Sequence, residues 1–245
     1  MRMVLLVSVW MAGCSVAESG PSVTVDPADL AAIGLRPGVS DRSVPLGGGP
    51  RLDFILDVPD LEDAGAVPLV LALPYAGAPA ASAREYYDVL AGPGLRELGA
   101  VVVVPVAFDG NWNTPAAVSA IASFVEAAVE AWPVDPGRVV VTGYSNGGNG
   151  AWAQAEQHGD LYSAAIPMGS YAPTDPPTRV PLYVVHGRDD ELFPAARAER
   201  AAEQVARAGG QVTVEVLPYS HFQAGRYAAA LARAATWLER DVWAR

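Results

Sequence analysis

The chain has 245 residues, 51% hydrophobic and 18% charged, with a formal net charge of -11. That length and apolar content suit a single well-buried core and exclude a disordered chain, while the acidity excludes a nucleic-acid backbone as partner. All 16 basic residues are arginine, so no Ser-Lys dyad, Schiff-base lysine or phosphate-loop lysine can exist here.

Taken in order, the chain opens with Arg2 before an apolar run that reaches Gly13. The run is far short of the roughly 20 residues a bilayer span needs and reads as an export signal. Ala12-Gly13-Cys14 resembles the lipobox of bacterial lipoproteins. That resemblance implies a lipidated Cys14 as mature N-terminus and a protein anchored at the outer face of a bacterial membrane. An ordinary signal peptide and a soluble secreted product is the alternative. Cys14 is the only cysteine, so the mature domain has neither disulfide nor thiol nucleophile. Residues 15–29, rich in Ser, Gly, Pro and acidic side chains, read as a tether, leaving 30–245 as one domain.

Two antiparallel strands are expected over 42–46 and 51–58, joined across Gly47-Gly48-Gly49-Pro50. The continuous apolar run 67–73 reads as a strand covered on both faces, and 100–106 as another. A helix over 82–98 is expected to break near Gly92-Pro93-Gly94. Thr114-Pro115 opens a helix to residue 131, with Val118, Ile121, Val125, Val129 and Trp132 on one stripe. Strands follow at 138–142, 163–168, 180–185 and 211–217, with helices from 151 to about 157, at 195–208 and at about 224–240. Alternation of this kind predicts an α/β fold: a mainly parallel sheet with helices on both faces and no second domain.

Within this frame Gly143-Tyr144-Ser145-Asn146-Gly147 runs from a buried strand into a helix. That is the setting of a nucleophile elbow, in which the serine backbone is strained and residues two away on each side must be small. The pentapeptide alone is weak evidence; its placement strengthens it. A serine becomes a useful nucleophile only beside a base, and the chain offers three histidines, His158, His186 and His221. None forms a His-x-x-x-His pair, so a zinc hydrolase is not expected. His158 sits at the end of the elbow helix and reads as a surface or cap residue. His221 follows the strand at 211–217, and an Asp189-Asp190 pair follows the strand at 180–185. The order Ser, Asp, His, each just past a strand, is that of an α/β-hydrolase triad.

Gly-Tyr-Ser-Asn-Gly-Gly, with His186-Gly-x-x-Asp-x-x-x-Pro194 and Ser220-His221-Phe222, resembles the α/β-hydrolase superfamily over residues 42–240. The likeness is to compact bacterial esterases of the polyhydroxybutyrate-depolymerase-like, feruloyl-esterase-like and phospholipase/carboxylesterase-like groups. It implies a cap-free α/β-hydrolase fold and a serine esterase with Ser145 as nucleophile and His221 as general base. Counting from His186 and Pro194 selects Asp190 as orienting acid, with Asp189 the alternative, and gives His186 a structural part. Asn146 is expected to supply one oxyanion N–H, and Tyr75 or Ala76, from the loop after 67–73, the other. Pro74-Tyr75-Ala76-Gly77 departs from the His-Gly common at that turn. Tyr75 and Trp112 are candidate substrate-facing residues, and covering the edge of the core is an equal reading of Trp112. No metal or organic cofactor is implied, and the substrate is a small or polymeric ester. Two other readings stand beside this one: a prolyl-peptidase-like peptidase, and an inactive surface-binding lipoprotein on a hydrolase scaffold.

Overall fold

The computed structural model describes residues 23–47, 49–62, 64–77, 79–107, 110–171 and 178–244. The signal segment, Cys14 and the first part of the expected tether lie outside these residues. Eight strands form one sheet in the order β1-β2-β4-β3-β5-β6-β7-β8. Strands β1 (Gly38–Pro45) and β2 (Arg51–Val58) make the expected hairpin, and β2 runs antiparallel to β4 (Val101–Pro105). From β4 through β3 (Val67–Leu73), β5 (Val134–Tyr144), β6 (Ala164–Met168) and β7 (Leu182–Gly187) to β8 (Val212–Leu217), every pairing is parallel. The mainly parallel α/β sheet, the α/β-hydrolase arrangement, is therefore present, and no cap domain occurs among the described residues.

The apolar runs divide between two cores by the two-residue period of a strand. Leu69, Leu71 and Leu73 of β3 face one side with Val101 and Val103 of β4. Val70 and Ala72 face the other with Val102 and Val104. Helices α1 (Pro27–Ile33), α4 (Pro115–Ala131), α5 (Asn146–Gln157) and α6 (Ala195–Arg207) cover the first face. The segment containing α2 (Pro79–Tyr86) and α3 (Gly92–Leu95), together with α7 (Ala228–Trp237), covers the second. Thr114 caps α4 as its sequence indicates, its hydroxyl accepting from the Ala117 amide at 3.2 Å.

Three expectations need correction. Residues 23–29, read as the end of a tether, belong to the domain: Val25 is buried in the core and its amide donates to Ser123 Oγ at 2.9 Å. Asp26 caps α1 through the Ala28 amide, Pro27 opens the helix, and the Leu30 carbonyl accepts from the Trp132 indole at 3.1 Å. The helical segment from Pro79 to Leu98 starts earlier than expected and does not break at Gly92-Pro93-Gly94. A π turn over Tyr87–Ala91 resets the hydrogen bonding, and Pro93 falls in the first turn of α3, where its missing N–H goes unneeded. Gly94 serves contact, since a Cβ there would press into Leu231 of α7 at 2.8 Å. Finally, α5 starts at Asn146, five residues before the run of good helix formers, for reasons set by the site.

Leu30 is completely buried, so Leu30→Ala should lower the unfolding free energy by about 2–4 kcal/mol. A urea midpoint unchanged from the parent would return residues 23–29 to the tether.

Candidate active site

Parallel sheets open crevices at the carboxyl ends of their strands, and here the loops after β3, β5, β7 and β8 converge. Ser145 lies between β5 and α5 with φ 57° and ψ -118°, the sole non-glycine residue at positive φ among those described. Such a conformation costs on the order of 1–3 kcal/mol and persists only where the surroundings enforce it. Here the enforcement is close backbone packing. A Cβ on Gly147 would collide with the Leu73 carbonyl at the end of β3, and one on Gly143 with the Gly147 carbonyl. The Ser145 amide is tied across to Met168 of β6 at 2.9 Å. Gly148 and Gly150 face Met168–Ser170 and the Trp112 side chain with equally little room. These contacts explain why four poor helix formers, Gly147 to Gly150, start α5: tertiary approach outweighs propensity.

Ser145 Oγ lies 2.8 Å from His221 Nε2, and His221 Nδ1 lies 2.8 Å from Asp190 Oδ2. The carboxylate can only accept, so Nδ1 carries the proton and Nε2 is free to accept from the serine hydroxyl. Asp190 and His221 are both buried. The other oxygen of Asp190 accepts the Leu192 and Phe193 amides at 2.9 and 2.7 Å, so the loop itself aims the carboxylate. Asp189 is exposed and does not meet His221. Of the two candidates for the acid, the geometry brings Asp190 to the imidazole.

His186 and His158 are apart from Ser145 in function and place. His186 is fully buried, and its Nε2 donates to the Phe193 carbonyl at 2.6 Å, with Asp190 Oδ2 at 3.6 Å. It clamps the far end of the loop that carries Asp190. Its Nδ1 finds no hydrogen-bond partner among the described residues. His158 closes α5, its amide donating to the Gln154 carbonyl at 2.8 Å.

Tyr75 and Ala76 line a cleft of about 640 Å³ together with Ser145 and His221. Burial, with the Glu85 carboxylate hydrogen-bonded beside it, raises the Tyr75 phenol well above its ordinary pKa, so it remains a donor. Asn146 opens α5, where the helix N-terminus concentrates positive potential. Its side chain donates to the Gly110 carbonyl at 3.0 Å, tying the elbow to the loop after β4.

Trp112 does not face substrate. It is 1% exposed, packs into the notch at Gly150, and donates its indole N–H to the Pro74 carbonyl at 2.8 Å. Its place is under the Tyr75 loop. A tryptophan in a strand-end loop satisfies either reading in sequence; the glycine at 150 that receives it was the unread signal.

Two positioning residues escaped the sequence reading. The Tyr144 hydroxyl donates to the His221 carbonyl at 2.6 Å while its ring lies 5.4 Å from the imidazole. Burial, reinforced by the adjoining Tyr227 and the Asp190 and Glu191 charges, raises its pKa strongly and keeps the proton on oxygen. Glu191 Oε2 accepts the His221 amide at 3.0 Å. Both grip the backbone of His221, and only Tyr144, fixed inside the pentapeptide, had a position from which this could be suspected. Among the described residues no group of three or more His, Cys, Asp or Glu could hold a metal ion.

A model of the dienelactone hydrolase family matches residues 106–241, more than half of the chain. The chain belongs to that family. That family lies within the α/β-hydrolase superfamily that the motifs resemble, and membership supports a hydrolase. A search of curated proteins by sequence finds no match. Among solved structures the chain is similar to FphF, a fluorophosphonate-binding serine hydrolase of Staphylococcus aureus. The TM-score is 0.68 at 13% identity, over 83% of this chain and all of that one. It is similar to Est1E of Butyrivibrio proteoclasticus, with TM-score 0.65 at 15% identity over 84% of this chain and 99% of that one. A thermostable esterase gives TM-score 0.65 at 19% identity over 82% of this chain; the match spans 62% of that esterase's own length. At these identities the likeness is one of fold.

Asp190→Asn should slow the reaction of Ser145 with a fluorophosphonate by about 10⁴-fold through loss of the productive imidazole tautomer. Asp189→Asn should leave the rate unchanged. The reverse ranking, read from labelling time courses, would move the acid to Asp189.

Proposed function

We propose that this dienelactone hydrolase family member is a serine esterase that cleaves carboxylic esters through an acyl-enzyme on Ser145. The observation that carries the reading is the unbroken hydrogen-bonded chain from Asp190 through His221 to Ser145, with its serine end opening into a cleft.

Ser145 Oγ attacks the ester carbonyl carbon as its proton passes to His221 Nε2. The carbonyl oxygen, now negative, is received by the Asn146 N–H and by an N–H of Tyr75 or Ala76. Each such donor is worth about 10²–10³ in rate. Asp190 stabilises the imidazolium formed at this stage and keeps the ring oriented. Collapse of the tetrahedral intermediate breaks the bond to the alcohol oxygen, which takes the proton from Nε2 and departs. Water then gives a proton to the same nitrogen, attacks the acyl carbon, and releases the acid with Ser145 restored. Trp112 contributes by holding the Pro74-Tyr75 turn from below. No step calls for a metal or organic cofactor. Upstream of the domain, the Ala-Gly-Cys14 sequence supports lipidation of Cys14 and an exported, membrane-anchored enzyme.

The test is a fluorophosphonate label on protein beginning at residue 15 and on its Ser145→Ala variant. Labelling of the first alone supports an activated Ser145; a folded parent that stays unlabelled removes the esterase reading. In cells making the full chain, the label should sediment with membranes and move to the soluble fraction in Cys14→Ser. A soluble label in both would dismiss the anchor.

A further inference from the structure

The exposed large hydrophobic residues described are few, and three of them, Val89, Leu192 and Phe222, line the cleft that holds Ser145 and His221. Phe222 is 76% exposed, Leu192 54% and Val89 38%. Scattered single apolar residues on a surface need no explanation, but a group converging on a reactive serine does. Of the cleft's two charged residues, Arg226 is stacked over the Tyr219 ring at 5.3 Å and Glu85 lies exposed on the Tyr75 side. The space between them suits a neutral, apolar group.

Its position says which half of an ester that group belongs to. The nitrogen that takes the serine proton returns it to the departing alcohol oxygen, so that oxygen must come within hydrogen-bond reach of His221 Nε2. The carbon attached to it then extends along the wall next to His221. That wall is built by residues directly following His221 and by the loop of its acid partner. Phe222 sets its ring edge-on to the imidazole at 5.7 Å, and Leu192 stands two residues past Asp190. Val89, on the π turn after α2, lies against Gly225 and lines the same cleft.

Resting on the esterase reading, we propose that the cleft binds the alcohol half of the substrate, and that the enzyme selects esters of apolar alcohols through Phe222 and Leu192.

The experiment compares two ester series at fixed pH by titrating released acid. Butyl, hexyl and octyl acetates have leaving alcohols of matched acidity and form the same acetyl-enzyme, so differences in kcat/KM report contact with the alcohol alone. Ethyl butanoate, hexanoate and octanoate lengthen the acyl half instead. The expected result is a rise of about two- to four-fold per added methylene in the alcohol series and a much flatter acyl series. Phe222→Ala should cost about ten-fold on octyl acetate and progressively less on hexyl and butyl acetate, flattening the alcohol series, with Leu192→Ala acting in the same direction. Phe222 projects into solvent, so its replacement does not threaten the fold. A slope confined to the acyl series, or a Phe222→Ala loss equal across both, overturns the proposal while esterase activity stands. Absence of any ester cleavage, together with absence of phosphonate labelling at Ser145, overturns the esterase reading and this one with it.

Discussion

The close approach of β3 to the start of α5 is the constraint on which the site depends. A helix whose Gly147 lies against the Leu73 carbonyl leaves no room for any side chain, and the chain must turn so sharply at Ser145 that a non-glycine residue takes positive φ. In exposed helix interiors each glycine would cost about 1 kcal/mol against alanine. Here the glycines bring a helix N-terminus, a strained serine and the β3 loop within one small volume. The same notch admits Trp112, whose indole then supports the Pro74 carbonyl and so the Tyr75 turn. Ser145 and the Tyr75 loop are thus set by one packing event and cannot be adjusted separately.

The histidine side is held differently, by hydrogen bonds from several elements rather than by steric contact. Tyr144, inside the elbow, donates to the His221 carbonyl, so the residue before Ser145 helps fix the backbone of His221. Glu191 accepts the His221 amide, and Asp190 beside it takes the ring. His186 closes the Asp190 loop on Phe193. Rings of Phe193 and Tyr144 lie 5.2 and 5.4 Å from the imidazole. A histidine restrained at its carbonyl, its amide and its Nδ1 has little freedom except along the line to Ser145.

Sequence reading recovered what local chemistry dictates. The limits of β3 match the continuous apolar run 67–73, and Thr114-Pro115 marks the start of α4, because those signals are complete within a few residues. It failed where distant contacts decide. Nothing local says that Gly92-Pro93-Gly94 continues a helix; the π turn before it and Leu231 opposite it do. Residues 23–29 have a tether's composition, yet Val25 and Leu30 find a core that only α4 and Trp132 complete. Ser145, His221 and an acid at 189 or 190 were legible because each follows a strand in a fixed order; only the family resemblance set Asp190 before Asp189. Trp112 was open to two readings because burial under a loop and exposure beside it leave the same trace in sequence.

Catalytic and contact positions alternate over very short distances in the two outer loops. Asp190 is buried with every carboxylate oxygen engaged, and Leu192, two residues on, projects into the cleft. His221 is buried, and Phe222 beside it is among the most exposed apolar residues described. The inward residue is fixed by hydrogen bonds to backbone, which do not depend on the identity of its neighbour's side chain. The outward residue is largely exposed, Phe222 meeting the imidazole only edge-on, and can change size without breaking the hydrogen bonds of His221 or Asp190. On the proposed reading, chemistry and selectivity are therefore separable in loops only a few residues long. The strained elbow, where every position touches the sheet, allows no such freedom. Variation in what such a hydrolase accepts should accordingly concentrate at positions like 192 and 222 and spare 143 to 150.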